Sequence, residues 1–204
     1  ARLYEELNKD LKSGAAGRFF QAARDHGLFP VILGGLGRFY QDSEPDFARL
    51  EKLFSAIDEA IARGEVIPQP TLFAALLEPW ASHIMAEMSG PGDRVKTLHE
   101  AFQAELTAAQ VPKALQFNAF QTHIILGQML RALETGRMRW NLKNRIQFEA
   151  ASALCHVVVE GKYTGSPDAF EKIYSERFGK GASGRPHHRG RRPHRKKQHA
   201  AGPE

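Results

Sequence analysis

The chain has 204 residues, 42% of them apolar and 9% aromatic, enough to bury one compact core or two small ones. Its 28 Lys and Arg against 23 Asp and Glu give a net charge of +5, yet residues 1–179 sum to −2 and residues 180–204 to +7, so the basic character belongs to the tail. No apolar run is long enough for a transmembrane helix, no signal-type leader opens the chain, and the single cysteine excludes an internal disulfide.

The elements read as helices separated by Gly and Pro turns. Leu3, Leu7 and Leu11 fall four apart on one stripe, closed by Ser13 and Gly14. Residues 16–26 make a second helix that Gly27 caps. After Pro30, Val31, Ile32 and Leu33 open a short or irregular helix, weakened by Gly34, Gly35 and Gly37. These glycines follow no strand, so they read as a turn or a close helix contact rather than a phosphate cradle. Residues 45–63 carry Phe47, Leu50, Phe54, Ile57 and Ile61 at amphipathic spacing, with Pro45 near the start and Gly64 past the end.

Residues 71–88 are apolar almost throughout, and Pro79 predicts a kink or a division there. Residues 94–109 place Val95, Leu98, Phe102 and Leu106 on one face. Pro112 starts a helix to about Leu133, with Leu115, Ala119, Thr122 and Leu126 facing inward. Thr135 and Gly136 break it, residues 140–159 are helical again, and residues 167–178 form a last short helix. Val157–Val159 is β-branched, but no second segment alternates at period two to pair with it. The fold class is all-α, an irregular helical bundle. Cys155 lies in an apolar stretch and reads as a buried structural residue in a reducing, cytoplasmic setting. From Gly179 onward there is no large apolar residue, and the tail is expected to be disordered on its own.

Chemistry-bearing patterns are sparse. There is no Asp-x-Asp pair, phosphate loop or nucleophile elbow, and the five histidines of the helical part lack metal-site spacing, so no catalytic, cofactor or metal residue is assigned. The positive signal is basic. Arg185, Arg189, Arg191, Arg192, Arg195, Lys196 and Lys197 fall within 13 residues without an acid, the type of segment that binds polyanions through bidentate guanidinium contacts and counterion release. A second group is Arg131, Arg137, Arg139, Lys143 and Arg145, with Lys143 and Arg145 placed in the first turns of a helix, where cations oppose the dipole. Trp140 in its midst is either core or a platform for a base. The candidate nucleic-acid contacts are Arg137, Arg139, Trp140, Lys143 and Arg145 together with the seven tail cations.

Several stretches then become specific in combination. Residues 1–14, 26–29 and 38–40, the Pro-led helix over 70–79, the hydrophobic-Pro-Lys start at 111–113, and Gly136, Arg137, Trp140 and Leu142 ahead of Phe148, Ala150 and Ala151 occur in order before an arginine-rich tail. Together they resemble the C-terminal half of bacterial poly(A) polymerases, within the nucleotidyltransferases that include the CCA-adding enzymes. The resemblance implies that residues 1–40 end an RNA-binding neck, 41–178 form a leg-like helical domain, and 179–204 form the tail. It also implies a fragment. A parent would carry an N-terminal catalytic head with ATP and Mg²⁺, adding adenylate to an RNA 3′ end, and this chain would be inactive alone. The implied partners are RNA, that head, and proteins of an RNA-degrading assembly. The alternatives are a CCA-adding fragment and a helical protein-interaction module.

Overall fold

The computed structural model describes residues 2–88, 94–139 and 141–179. Nine α-helices are present among them and no strand: α1 (Arg2–Lys12), α2 (Ala16–Asp25), α3 (Phe29–Asp42), α4 (Glu44–Ala62), α5 (Gln69–Glu87), α6 (Arg94–Ala108), α7 (Lys113–Thr135), α8 (Phe148–Glu160) and α9 (Ala169–Phe178). A 3₁₀ turn, Leu142–Asn144, lies between α7 and α8. The all-α expectation therefore holds. The tail cations from Arg185 to Lys197 and Trp140 lie outside the described residues.

Helix α5 is the axis of the bundle. Every residue from Thr71 to Ala81 is buried, as expected of a helix that is apolar all round. It packs on α4, α7 and α8, while α2 lies on α4, and α9 on α8 and α7. One continuous core runs from Leu7 and Leu11 in α1 to Ile173 and Tyr174 in α9. Pro79 does not divide α5. Proline removes the N–H that the ladder needs at that point. The buried Tyr40 hydroxyl fills in beside it, donating to the Leu76 carbonyl at 2.6 Å and meeting the Trp80 backbone N–H. Burial holds the Tyr40 phenol well above its ordinary pKa, so it stays a donor.

Two helix starts are capped from far along the chain instead of by their own first residues. The Asp58 carboxylate of α4 accepts the backbone N–H groups of Ala16 at 3.1 Å and Gly17 at 2.9 Å. These are two of the orphan donors at the start of α2. The second cap explains the glycine run. Helix α3 folds sharply at Gly34, whose φ of 59° and ψ of −123° suit only glycine. The segment after the bend begins afresh, and the Glu105 carboxylate of α6 accepts the Leu36 N–H at 2.8 Å. Gly35 leaves room for Glu105, and Gly37 for the carbonyl of Phe29. The run is thus a close helix contact, and its anion site is filled by the chain itself.

The structure corrects the start of one expected helix and the burial of Val95, and bears out the helical reading of Val157–Val159. The helix expected over 140–159 starts at Phe148, so Lys143 and Arg145 sit in a 3₁₀ turn and the loop after it, and oppose no helix dipole. Leu142 mimics a helical core position but is buried from that turn. Val157 and Val158 continue α8 because they pack into the core from a helix with no strand beside them. Val95 sits on the inward stripe by spacing, yet it is more than half exposed, because α6 begins at Arg94 and its first turn overhangs the core.

Candidate nucleic-acid interface

The segment after α7 is anchored at Gly136, Met138 and Leu142 and displays cations between them. Gly136 ends α7 in the left-handed conformation, and its N–H bonds to the Ala132 carbonyl. The Tyr174 hydroxyl of α9 donates to the Gly136 carbonyl at 2.7 Å, and a Cβ on Gly136 would lie 3.2 Å from the Phe178 ring. Met138 packs partly against the core and Leu142 is buried. With 136, 138 and 142 held inward, Arg137, Arg139, Lys143 and Arg145 are left exposed.

Their surroundings divide them. Arg137 and Arg139 line one cleft of about 970 Å³, together with Arg131 from the last turns of α7. Among the described residues no acid lies within ion-pair distance of these three arginines. The one acid on the cleft wall, Glu78, is 2% exposed and already engaged: Arg49 donates to both its oxygens at 3.1 and 3.2 Å, and Ser82 donates at 2.7 Å. The cleft therefore presents a net positive charge toward solvent. Lys143 points to a separate cavity beside α9 and pairs with Glu171, which neutralises it. Arg145 borders neither cavity and stands next to Ile146, an almost fully exposed apolar side chain.

The cleft also contains His123, which sequence reading passed over. Its side chain is 8% exposed and packs near the Phe102 ring, and its Nδ1 has no hydrogen-bond partner. Burial pushes its pKa down to about 4, so the ring is neutral at physiological pH. The signal was available. Ile124, Gly127, Gln128, Arg131 and Thr135 follow one face of α7 at three- and four-residue steps, and all of them line the cleft.

Further exposed cations lie on the first three helices, interspersed with the exposed acids Glu5, Glu6 and Asp25. Arg2, Lys12, Arg18 and Arg38 are exposed there, and Lys9 is tied to Glu6 at 3.2 Å. Arg24 is not free. It pairs with Glu44 at 2.6 Å and lies 4.3 Å over the Phe47 ring, joining α2 to α4. The groove between α2 and α4 holds Arg18 and Lys52 but also Glu51, Asp58 and Glu59, so its charge is mixed.

Residues 1–38 match a family described as "Probable RNA and SrmB-binding site of polymerase A". The N-terminal segment is similar to an RNA-binding region of poly(A) polymerase. No curated protein and no solved structure matches the chain. The matched segment covers α1, α2 and α3 as far as Arg38, including the bend at Gly34 and the N–H groups capped by Asp58 and Glu105. None of its exposed cations stands out in the sequence, because they are scattered along three helices and form no local run. No helix among the described residues is long and apolar enough to cross a membrane.

Proposed function

We propose that this chain is the RNA-holding helical region of a poly(A) polymerase. It grips the strand through its phosphates and directs the 3′ end toward a catalytic head carried elsewhere in the parent protein. The observation that carries the reading is the match of residues 1–38 to an RNA-binding family. The exposed cations of that segment and the three arginines of the cleft supply the chemistry it needs. Guanidinium groups pair with phosphate in a two-pronged geometry, and such contacts are indifferent to base identity. A 3′ end that is lengthened stepwise must slide, which suits phosphate contacts without base readout.

ATP and Mg²⁺ would belong to the head. Among the described residues no group of three or more His, Cys, Asp or Glu side chains converges on a point that could hold a metal. No step of the transfer is assigned to this chain. Its part is binding and alignment, which in phosphoryl transfer supplies much of the rate.

The test is fluorescence anisotropy of a labelled single-stranded oligo(A) over a salt series. Variants are Arg137→Ala with Arg139→Ala, Arg18→Ala with Arg38→Ala, and the seven tail cations from Arg185 to Lys197 replaced together. Removing a cation that pairs with a phosphate flattens the dependence of log affinity on log salt by up to ~0.7. If the intact chain fails to bind oligo(A) at low salt, the reading falls. A second reading has its own support, since the family description names a protein partner beside RNA. In it, the helical surface docks a protein of an RNA-degrading assembly, and single-stranded RNA would then fail to displace that protein.

A further inference from the structure

The cleft between α5, α6 and α7 is more than a charged surface. Its volume of about 970 Å³ lies at the upper end of the ~300–1,000 Å³ range of small-ligand sites. Its lining is of two kinds. Arg131, Arg137 and Arg139 line it with no acidic partner, and the partly buried side chains of Met85, Ile124 and Leu130 give it apolar surface. His123 lines it as well, more than nine-tenths buried, with its Nδ1 unpartnered and shielded from solvent. Buried polar atoms are almost always paired, so an orphan on the wall of a cleft is an observation that points to a ligand. A neutral imidazole offers one donor and one acceptor nitrogen, so unlike a guanidinium it can also accept a hydrogen bond from a base.

We infer that this cleft is a nucleotide site, in which the three arginines take the phosphate, the Met85–Ile124–Leu130 wall takes the base, and His123 bonds the base edge. Two sources present the same chemistry: a free nucleotide, or one nucleotide of a bound strand turned into the cleft. For the strand-borne source, the inference rests on the RNA-binding reading.

The chain has four methionines, of which Met85 lines the cleft and Met129 is buried in the core. Carbon-13 methyl labelling of methionine therefore gives a reporter and an internal control. The intact chain is titrated with AMP, adenosine, inorganic phosphate and oligo(A), and oligo(A) binding is followed in parallel by anisotropy. A saturable shift of Met85, with Met129 unmoved, is expected with AMP or with oligo(A). A response to AMP assigns free nucleotide as a ligand, and a response to oligo(A) alone assigns a strand-borne one. Arg137→Ala with Arg139→Ala should weaken whichever responds at least tenfold. His123→Leu should weaken it while leaving the response to inorganic phosphate unchanged, and an unaltered Met129 signal verifies that each variant is folded. If Met85 stays still under AMP and oligo(A) while oligo(A) binds by anisotropy, the nucleotide site is refuted and RNA binding stands. If oligo(A) also fails to bind, both fall. If inorganic phosphate moves Met85 as strongly as AMP does, the cleft is an anion site only and the inference is overturned.

Discussion

Replacing Gly37 by alanine should destabilise the fold, although alanine is the better helix former. The side-chain methyl would lie 2.0 Å from the Phe29 carbonyl oxygen and 2.4 Å from its carbon. Contacts under 3.0 Å do not occur at a Cβ, so the bent halves of α3 must part by about 1 Å. Both groups in collision belong to the backbone, so no rotamer change relieves them. Overpacking of a core contact costs about 1–3 kcal/mol, and a rigid clash belongs at the upper end. Helix propensity returns about 1 kcal/mol, leaving a net loss of about 2 kcal/mol. For a chain of this size that lowers the melting temperature by about 4–8 °C. Gly127→Ala is the control, because it lies within α7 with no atom within 4 Å of the added carbon. It should gain about 0.4–1 kcal/mol. Thermal melts followed by far-ultraviolet circular dichroism give both signs. A Gly37→Ala variant that melts at or above the parent would show that the Phe29 carbonyl is not packed on Gly37.

The neutral His123 links stability to pH. Its pKa is held down at about 4 against an ordinary 6.5, so its contribution is complete above pH 6.5 and is lost as pH falls toward 4. Urea denaturation should show a decline approaching roughly 3 kcal/mol across that window, and His123→Leu should flatten it; an unchanged pH profile would refute the assignment. Asp58→Ala strips the acceptors from the Ala16 and Gly17 N–H groups and should cost about 0.5–2 kcal/mol in a urea titration, with Asp58→Asn falling between. Cys155 is buried and its thiol is pushed up to about 12. A thiol reagent at mildly alkaline pH should leave it untouched in the folded chain and modify it in guanidinium. Its stabilising contribution should be complete below pH 9 and disappear as pH rises from 9 toward 12, which alkaline denaturation of Cys155→Ala would check.

The helices were legible in the sequence where a periodic apolar stripe sat between a proline and a glycine. That is why α4 and α7 match their expected limits to within about two residues. Reading failed where a distant side chain decides the local structure. Asp58 caps a helix that begins 42 residues earlier, and Glu105 one that restarts 69 residues earlier. Neither leaves a local mark. The same holds for Tyr40, whose hydroxyl bonds to the Leu76 carbonyl of α5 near Pro79 from 36 residues earlier. At the candidate site, Arg137 and Arg139 were visible as a basic pair just after a glycine break. That they share a cleft with Arg131 and His123 depends on how α7 is rotated in the bundle, and the diversion of Lys143 depends on Glu171 in another helix. The cations of α1–α3 came to notice through the family match and not through their spacing.

The Glu105 cap bears on whether the segment that matches the RNA-binding family is a transplantable module. Residues 1–38 look like a unit that another protein could borrow, but the second half of α3 starts on a carboxylate supplied by α6. Moved into a foreign chain, the segment would arrive with the Leu36 N–H unanswered beside the Gly34 bend. Inheritance of this segment is therefore tied to inheritance of α6, and a substitution at Glu105, far outside the matched residues in sequence, should disturb the segment through its bond to the Leu36 N–H.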